Sequence, residues 1–146
     1  MSNYARGLII LYADSSSLPG VIIAKGSGSK WTHCGITLGD GTALQCEATH
    51  GGVCILPEGS GDEHMTVDPR VMQTEVFIDN LKIRTGDRYD YFGLIANPLW
   101  NTFHWDIGLR SHSWNCATFI ASAFPEAVRL ARHKKPLASW CPADFV

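Results

Sequence analysis

A chain of 146 residues, 45% hydrophobic and 18% charged, has room for one compact domain with a real core and little else. Its formal net charge of -2 supplies no basic field, which excludes a broad nucleic-acid-binding surface; the cluster Arg129, Arg132, Lys134 and Lys135 reads as a solvated helix end. Five cysteines at irregular spacing (Cys34, Cys46, Cys54, Cys116 and Cys141) form no disulfide framework and read as mostly reduced thiols, three or four of them buried as small hydrophobes.

The opening Met1 to Tyr12 carries too short an apolar run, with no small-residue cleavage site after it, to read as a secretory signal. No stretch reaches transmembrane length. The expectation is cytoplasmic synthesis, with any export following a non-classical route. Residues 7–12 read as a buried strand. Residues 15–25 read as a short helix, capped by Ser16 or Ser17 with Pro19 in its first turn. A meander follows: strand Cys34 to Leu38, a turn at Asp40-Gly41, strand Thr42 to Ala48, a turn at Gly51-Gly52, and strand Val53 to Leu56. Residues 57–70 are polar and read as a surface loop. Thr74 to Ile78 alternates, as a strand does. Tyr89 to Asn97 reads as a helix ended before Pro98. Residues 99–114 are rich in aromatic side chains and histidine. Asn115 to Phe124 has helical spacing, and Pro125 opens another helix. Strands in one block and helices in another make the class α+β, in a single domain spanning 1–146.

Three residues carry the chemistry. Cys116 falls in the first turn of an expected helix, where unpaired N–H groups and the helix dipole favour a thiolate. A thiolate nucleophile needs a base, normally histidine. His33 stands where a strand begins, so a rigid sheet can aim it. Glu47 lies on the next strand, where a carboxylate could orient the imidazole as the third member of a triad. His50, close by in sequence, is an alternative for that role. Cys46, His50 and Cys54 match no zinc spacing, so neither metal nor cofactor is expected. His104, His112, Trp100, Trp105 and Trp114 read as packing or cleft wall.

Together these segments resemble a known family. Trp31 to Gly41, WTHCGITLGDG, is similar to the S-H-V-G-I-Y-L-G-D-G strand of NlpC-type papain-like enzymes. Gln45-Cys46-Glu47-Ala48 followed by Gly51-Gly52-Val53 resembles the x-E-A…G-G-V element of their circularly permuted branch, which includes the lecithin retinol acyltransferase relatives. Trp114 to Ala121, WNCATFIA, resembles their x-x-C-S-E-F-V-A nucleophile helix. Gly86 to Leu94 resembles G-x-x-Y-D-Y-x-G-L, and Cys141 to Phe145 resembles the closing x-P-x-D-L. The order His33, Glu47, Cys116 is the permuted order. The resemblance spans Gly7 to Phe145 and implies a permuted papain-like fold, with Cys116 as nucleophile, His33 as general base and Glu47 as third residue. Cys34 stands where Val is usual, and Ala117-Thr118 where Ser-Glu is usual. The implied activity is cleavage of amide bonds in peptidoglycan stem peptides, in a phage product or secreted toxin with an unspecified immunity or secretion partner. An acyltransferase or acyl-ester hydrolase is the alternative, and the tryptophan-rich segment suits it. A non-enzymatic binding module of the same fold is the third reading, and the intact Cys, His and Glu set weighs against it.

Overall fold

A computed structural model describes residues 4–13, 16–59, 63–70 and 73–146. Among them, seven strands form one sheet: β1 (Ile9–Ala13), β2 (His33–Thr37), β3 (Thr42–Glu47), β4 (Gly52–Pro57), β5 (Glu63–Val67), β6 (Arg88–Tyr89) and β7 (Ser113–Trp114), in the order β5-β1-β2-β3-β4-β6-β7. All pairings are antiparallel except β6 with β7. The helices are α1 (Leu18–Ser27), α2 (Thr74–Lys82), α3 (Ala96–Phe103), α4 (Cys116–Ala121) and α5 (Glu126–Arg132). The architecture is α+β, and no helix among the described residues is long and apolar enough to cross a membrane.

Local chemistry accounts for residues 9–56 largely as expected. Ser17 caps α1 by accepting the Gly20 N–H at 3.1 Å, and Pro19 sits in the first turn, where its missing N–H costs nothing. Residue 15, the first of the helix expected over 15–25, lies outside the described set. Asp40 Oδ1 accepts the Thr42 N–H at 3.0 Å and closes the β2–β3 turn. A Cβ on Gly26 would come within 2.7 Å of Pro98 Cγ, so α1 meets α3 at a contact that needs a glycine.

From residue 57 onward the chain departs from the sequence expectations in four places. Thr74 to Ile78 is the start of helix α2, not a strand. Phe77, Ile78 and Leu81 are buried while Val76 is 51% exposed, a helical set whose last member lies beyond the short alternating window. The region 57–70 is not all loop. β5 pairs with β1 from Ile9↔Val67 to Ala13↔Glu63, and Met65 and Val67 pack on the core; residues 60–62 lie outside the described set. Tyr89 to Asn97 is not one helix. It holds the end of β6, a 3-10 turn at Phe92–Ile95, and the first two residues of α3, which runs through Pro98. Pro98 is third in α3, among the first-turn N–H groups that lack intrahelical acceptors. Finally, α4 stops at Ala121, although Phe124 still packs edge-on against Phe77 at 5.0 Å.

One sheet face supplies Ile9, Leu11, Cys34, Ile36, Leu44 and Cys46 to the core. Against it pack Phe77, Ile78 and Leu81 of α2, Phe119 and Ile120 of α4, and Trp140 and Phe145 of the tail. Each such buried side chain contributes about 1.5–3 kcal/mol of burial. The effect that matters for function is geometric: α4 is pressed against β2, so the residue that starts one element meets the residue that starts the other.

Candidate active site

Cys116 is the first residue of α4, and the Asn115-Cys116-Ala117-Thr118 segment fixes it from both sides. Asn115 Oδ1 accepts the Thr118 N–H at 2.9 Å, and Thr118 Oγ1 accepts the Asn115 N–H at 3.0 Å, a reciprocal capping box. Thr118, which stands where the resembling enzymes usually carry Glu, is therefore what locks the helix start.

His33 and Cys116 stand close enough for each to shift the other's proton affinity. The Nε2–H of His33 donates to Gln45 Oε1 at 2.7 Å, which leaves Nδ1 as the nitrogen for the sulfur. Tyr12, the cross-strand partner of His33, stacks on the imidazole with centroids 5.6 Å apart and planes at 29°. The Cys116 thiol is held well below its ordinary 9.0. The Cys34 thiol hydrogen bond is the first cause; burial opposes it, and the His33 hydrogen bond and charge add to it. Burial pulls the His33 imidazole down, but the hydrogen bond and charge of Cys116, with Gln45 and Glu47 behind them, leave it above its ordinary 6.5. The sequence assigned this thiolate chiefly to a helix dipole. α4 has only six residues, and the side chains around the sulfur are what stabilise its anion.

Glu47, the expected third residue, does not hold His33. Its carboxylate accepts Thr49 Oγ1–H at 2.8 Å and lies 2.8 Å from His50 Nδ1, closing the turn between β3 and β4. His50, the alternative, is occupied in the same contact. The imidazole's partner is Gln45, which sequence reasoning passed over. The β2–β3 ladder pairs Gly35 with Gln45, so Gln45 is the diagonal neighbour of His33, and a long amide spans that offset. Gly35 makes the reach possible: a Cβ there would lie 2.7 Å from Gln45 Cγ and 3.3 Å from its Cδ. Replacing Gly35 by alanine is expected to push the amide aside and lower turnover roughly tenfold, about 1.4 kcal/mol, with binding little changed. The check is a comparison of kcat and KM for Gly35→Ala against the parent.

A cavity of about 690 Å³ opens beside this group, lined by Tyr12, His33, Gln45, Glu47, Tyr89 and Tyr91 among others. Cys116 does not line it. The cysteine is 1% exposed and faces a separate pocket of about 10 Å³ with Asn97, Asn115, Trp140 and Cys141. Ile23 of α1 lines both spaces and so forms a wall between them. Truncating that wall with Ile23→Ala is expected to speed alkylation of Cys116 by a small iodoacetamide about tenfold. An unchanged rate would show that access is limited elsewhere.

The remaining candidates lie apart. The Cys46 thiol donates to the Trp114 carbonyl at 3.0 Å, and among the described residues no three His, Cys, Asp or Glu side chains converge as a metal site. His104 ends α3 and packs edge-on against Trp100 at 5.3 Å; His112 is 3.5 Å from Asp87, whose other oxygen accepts Trp114 Nε1–H at 2.9 Å. Trp105 is 60% exposed and stands against Phe103, at 5.0 Å between ring centres. In the basic cluster, Lys135 is paired with Asp144 at 2.5 Å and both are nearly buried, so that end of the chain is partly neutralised rather than solvated throughout. Compared with protein-family models and with curated proteins, the chain matches none.

Proposed function

We propose that this protein is a cysteine hydrolase of amide bonds, built on a papain-like frame of permuted order, acting on peptidoglycan stem peptides. The observation that carries the reading is the chain of contacts from Cys116 to His33 to Gln45: a thiol held as its anion, an imidazole held as its cation, and an amide that fixes the ring.

The chemistry follows from those groups. The Cys116 thiolate attacks the scissile carbonyl carbon. The oxygen that gains charge is assigned to the Cys116 backbone N–H, which has no acceptor within its own helix. The His33 imidazolium gives its proton to the leaving amine. His33, now neutral, takes a proton from water as that water cleaves the thioester, and the acid product leaves. Gln45 keeps the Nε2–H engaged, so the ring cannot turn its other face to the sulfur.

The cavity bears on substrate. Among the described residues its lining includes Glu47 and His50 but no lysine or arginine, and Tyr12, Tyr89 and Tyr91 form part of its walls. That surface suits an uncharged or amine-bearing peptide better than an anionic headgroup. Acyl esters are the second reading, favoured by one observation. Tyr91 at the cavity is followed by exposed Phe92, Ile95, Phe103, Trp105 and Leu109, an apolar surface that an acyl chain could use.

Incubation with peptidoglycan fragments and, separately, with a long-chain acyl ester distinguishes the two. Stem-peptide release that vanishes in Cys116→Ala is the expected result. Acyl release alone would replace the substrate, and no release of either above that control would end the hydrolase reading.

A further inference from the structure

The base and the nucleophile open onto different spaces. His33 and Gln45 line the cavity of about 690 Å³, whereas Cys116, 1% exposed, lies against the separate pocket of about 10 Å³. Hydrolysis needs both groups at one carbonyl, so a wall between the two spaces has to move. α1 is that wall. Its cap Ser17 and its residues Pro19, Gly20 and Ile23 line the cavity, and Ile23 lines the pocket as well.

α1 is lightly held. Of its ten residues only Gly20 is buried, whereas all six of α4 are. Few buried contacts make local opening cheap. The helix packs on α3 and on the 3-10 turn before it, and it ends at Gly28, an exposed residue at φ 65°. Two asparagines one turn apart on α3 tie it down. Asn101 Nδ2–H donates to the Gly26 carbonyl at 3.0 Å and to Asn97 Oδ1 at 3.1 Å, and Asn97 Nδ2–H donates to the Ser139 carbonyl at 2.8 Å. Ser139 leads into Trp140, Cys141 and Pro142, which line the pocket at Cys116 with Asn97 and Ile23. The two amides thus clasp α1 and the tail together around the sulfur.

We propose that α1 is a lid, latched shut by Asn101, that moves aside when a peptide fills the cavity and so joins the cavity to Cys116. The inference rests on reading Cys116 as the nucleophile of a hydrolase, and it supplies the regulation of that site. The described arrangement is the closed one. A peptide in the cavity meets Ser17, Pro19, Gly20 and Ile23 directly, so its own contacts can favour the open arrangement. Only the open fraction binds productively, so the latch lowers the apparent affinity for substrate by that fraction.

The test uses the full chain and two variants that release the latch by different routes. Asn101→Ala removes the bond to Gly26. Gly26→Ala adds a methyl group 2.7 Å from Pro98 Cγ, which pushes α1 off α3 while favouring the helix itself. Each protein is labelled with iodoacetamide and, separately, with a bulky maleimide, and the sites are mapped by peptide mass spectrometry. In the parent, the maleimide reacts at Cys116 far more slowly, relative to a free thiol, than iodoacetamide does. In Asn101→Ala both reagents label Cys116 about three- to tenfold faster, and in Gly26→Ala at least as fast. The kcat/KM on peptidoglycan stem-peptide fragments rises by the same factor, since both quantities follow the open fraction. Cys34 and Cys46, each 0% exposed, stay unlabelled, which separates a moving lid from a loosened fold. Parent labelling rates in both variants, labelling of Cys34 and Cys46 in step with Cys116, faster labelling without a rise in kcat/KM, or a parent that takes the maleimide as readily as iodoacetamide overturns the inference. Absence of stem-peptide release with the labelling pattern intact ends the hydrolase reading alone and leaves α1 as the cover of Cys116.

Discussion

Iodoacetamide is expected to label Cys116 at a rate that falls far less from about pH 8 to about pH 6 than that of an ordinary thiol, which slows about tenfold per pH unit over that range. The reason is the state of the sulfur. A thiol at the ordinary 9.0 is about 0.1% thiolate at pH 6, but Cys116 is held well below 9.0 by Cys34 and His33. A more acidic thiolate is intrinsically less nucleophilic, so the distinguishing sign is the shallow profile, not a great height. The signs of the two limbs follow. The Cys116 value is depressed, so its anion exists above its folded-state value and is lost as pH falls through it. The His33 value is raised, so its cation persists until pH climbs past that higher value. Hydrolysis is therefore expected to be bell-shaped, with an acid limb well below 9.0 and a basic limb above 6.5, both belonging to the coupled pair. His33→Ala removes the base and one of the two side-chain bonds to the sulfur. It is expected to cut kcat/KM by at least about 10³, roughly 4 kcal/mol. It is also expected to move the labelling inflection upward only in part, because the Cys34 bond remains. Parent labelling that titrates like a free thiol would remove the ion pair from the mechanism.

Cys116 and His33, the proposed nucleophile and base, were legible as candidates because each stands at a position with a strong local signature: His33 before a glycine-punctuated hairpin, Cys116 behind an Asn cap. The meander from β2 to β4 was legible for the same reason, since Asp40-Gly41 and Gly51-Gly52 fix the turns. What failed were segments decided by tertiary contact. The window 74–78 is too short to separate a period of 2 from one of 3.6, and Leu81, which settles it, lies outside. β5 is a strand because β1 offers an edge, which no property of residues 57–70 reveals. Within the site, charge misled: Glu47 drew attention as the nearest carboxylate, while the neutral Gln45 carries the bond to His33. The signal for Gln45 was present in the register, since the glycine two residues after His33 pairs with it and leaves room for its side chain. The environment of the sulfur was hidden more deeply. Cys34 reads as a conservative replacement for valine until the fold sets it against Cys116.

Gln45→Ala is expected to lower kcat about 10- to 100-fold with little change in KM, and Glu47→Ala to change kcat by less than about threefold. The contrast tests which neighbour positions the base. Without the Gln45 amide, the Nε2–H loses its acceptor at 2.7 Å in a half-buried site, and the ring can turn away from the sulfur. Tyr12 stacking restrains the plane of the ring but offers no bond to that nitrogen, so it cannot replace the amide. Glu47 acts on His33 only through its charge, the smallest of the contributions raising the imidazole, while its oxygens are held by Thr49 and His50. Loss of Glu47 should therefore loosen the β3–β4 turn more than it disturbs catalysis. Gln45→Glu separates orientation from charge. It keeps an acceptor within reach of Nε2 and adds an anion beside the imidazolium, so activity should be largely retained while the basic limb of the profile moves to higher pH. A merely structural glutamine would show no such shift. Should Glu47→Ala lose as much turnover as Gln45→Ala, the carboxylate would regain the third position and the amide would be left with packing alone.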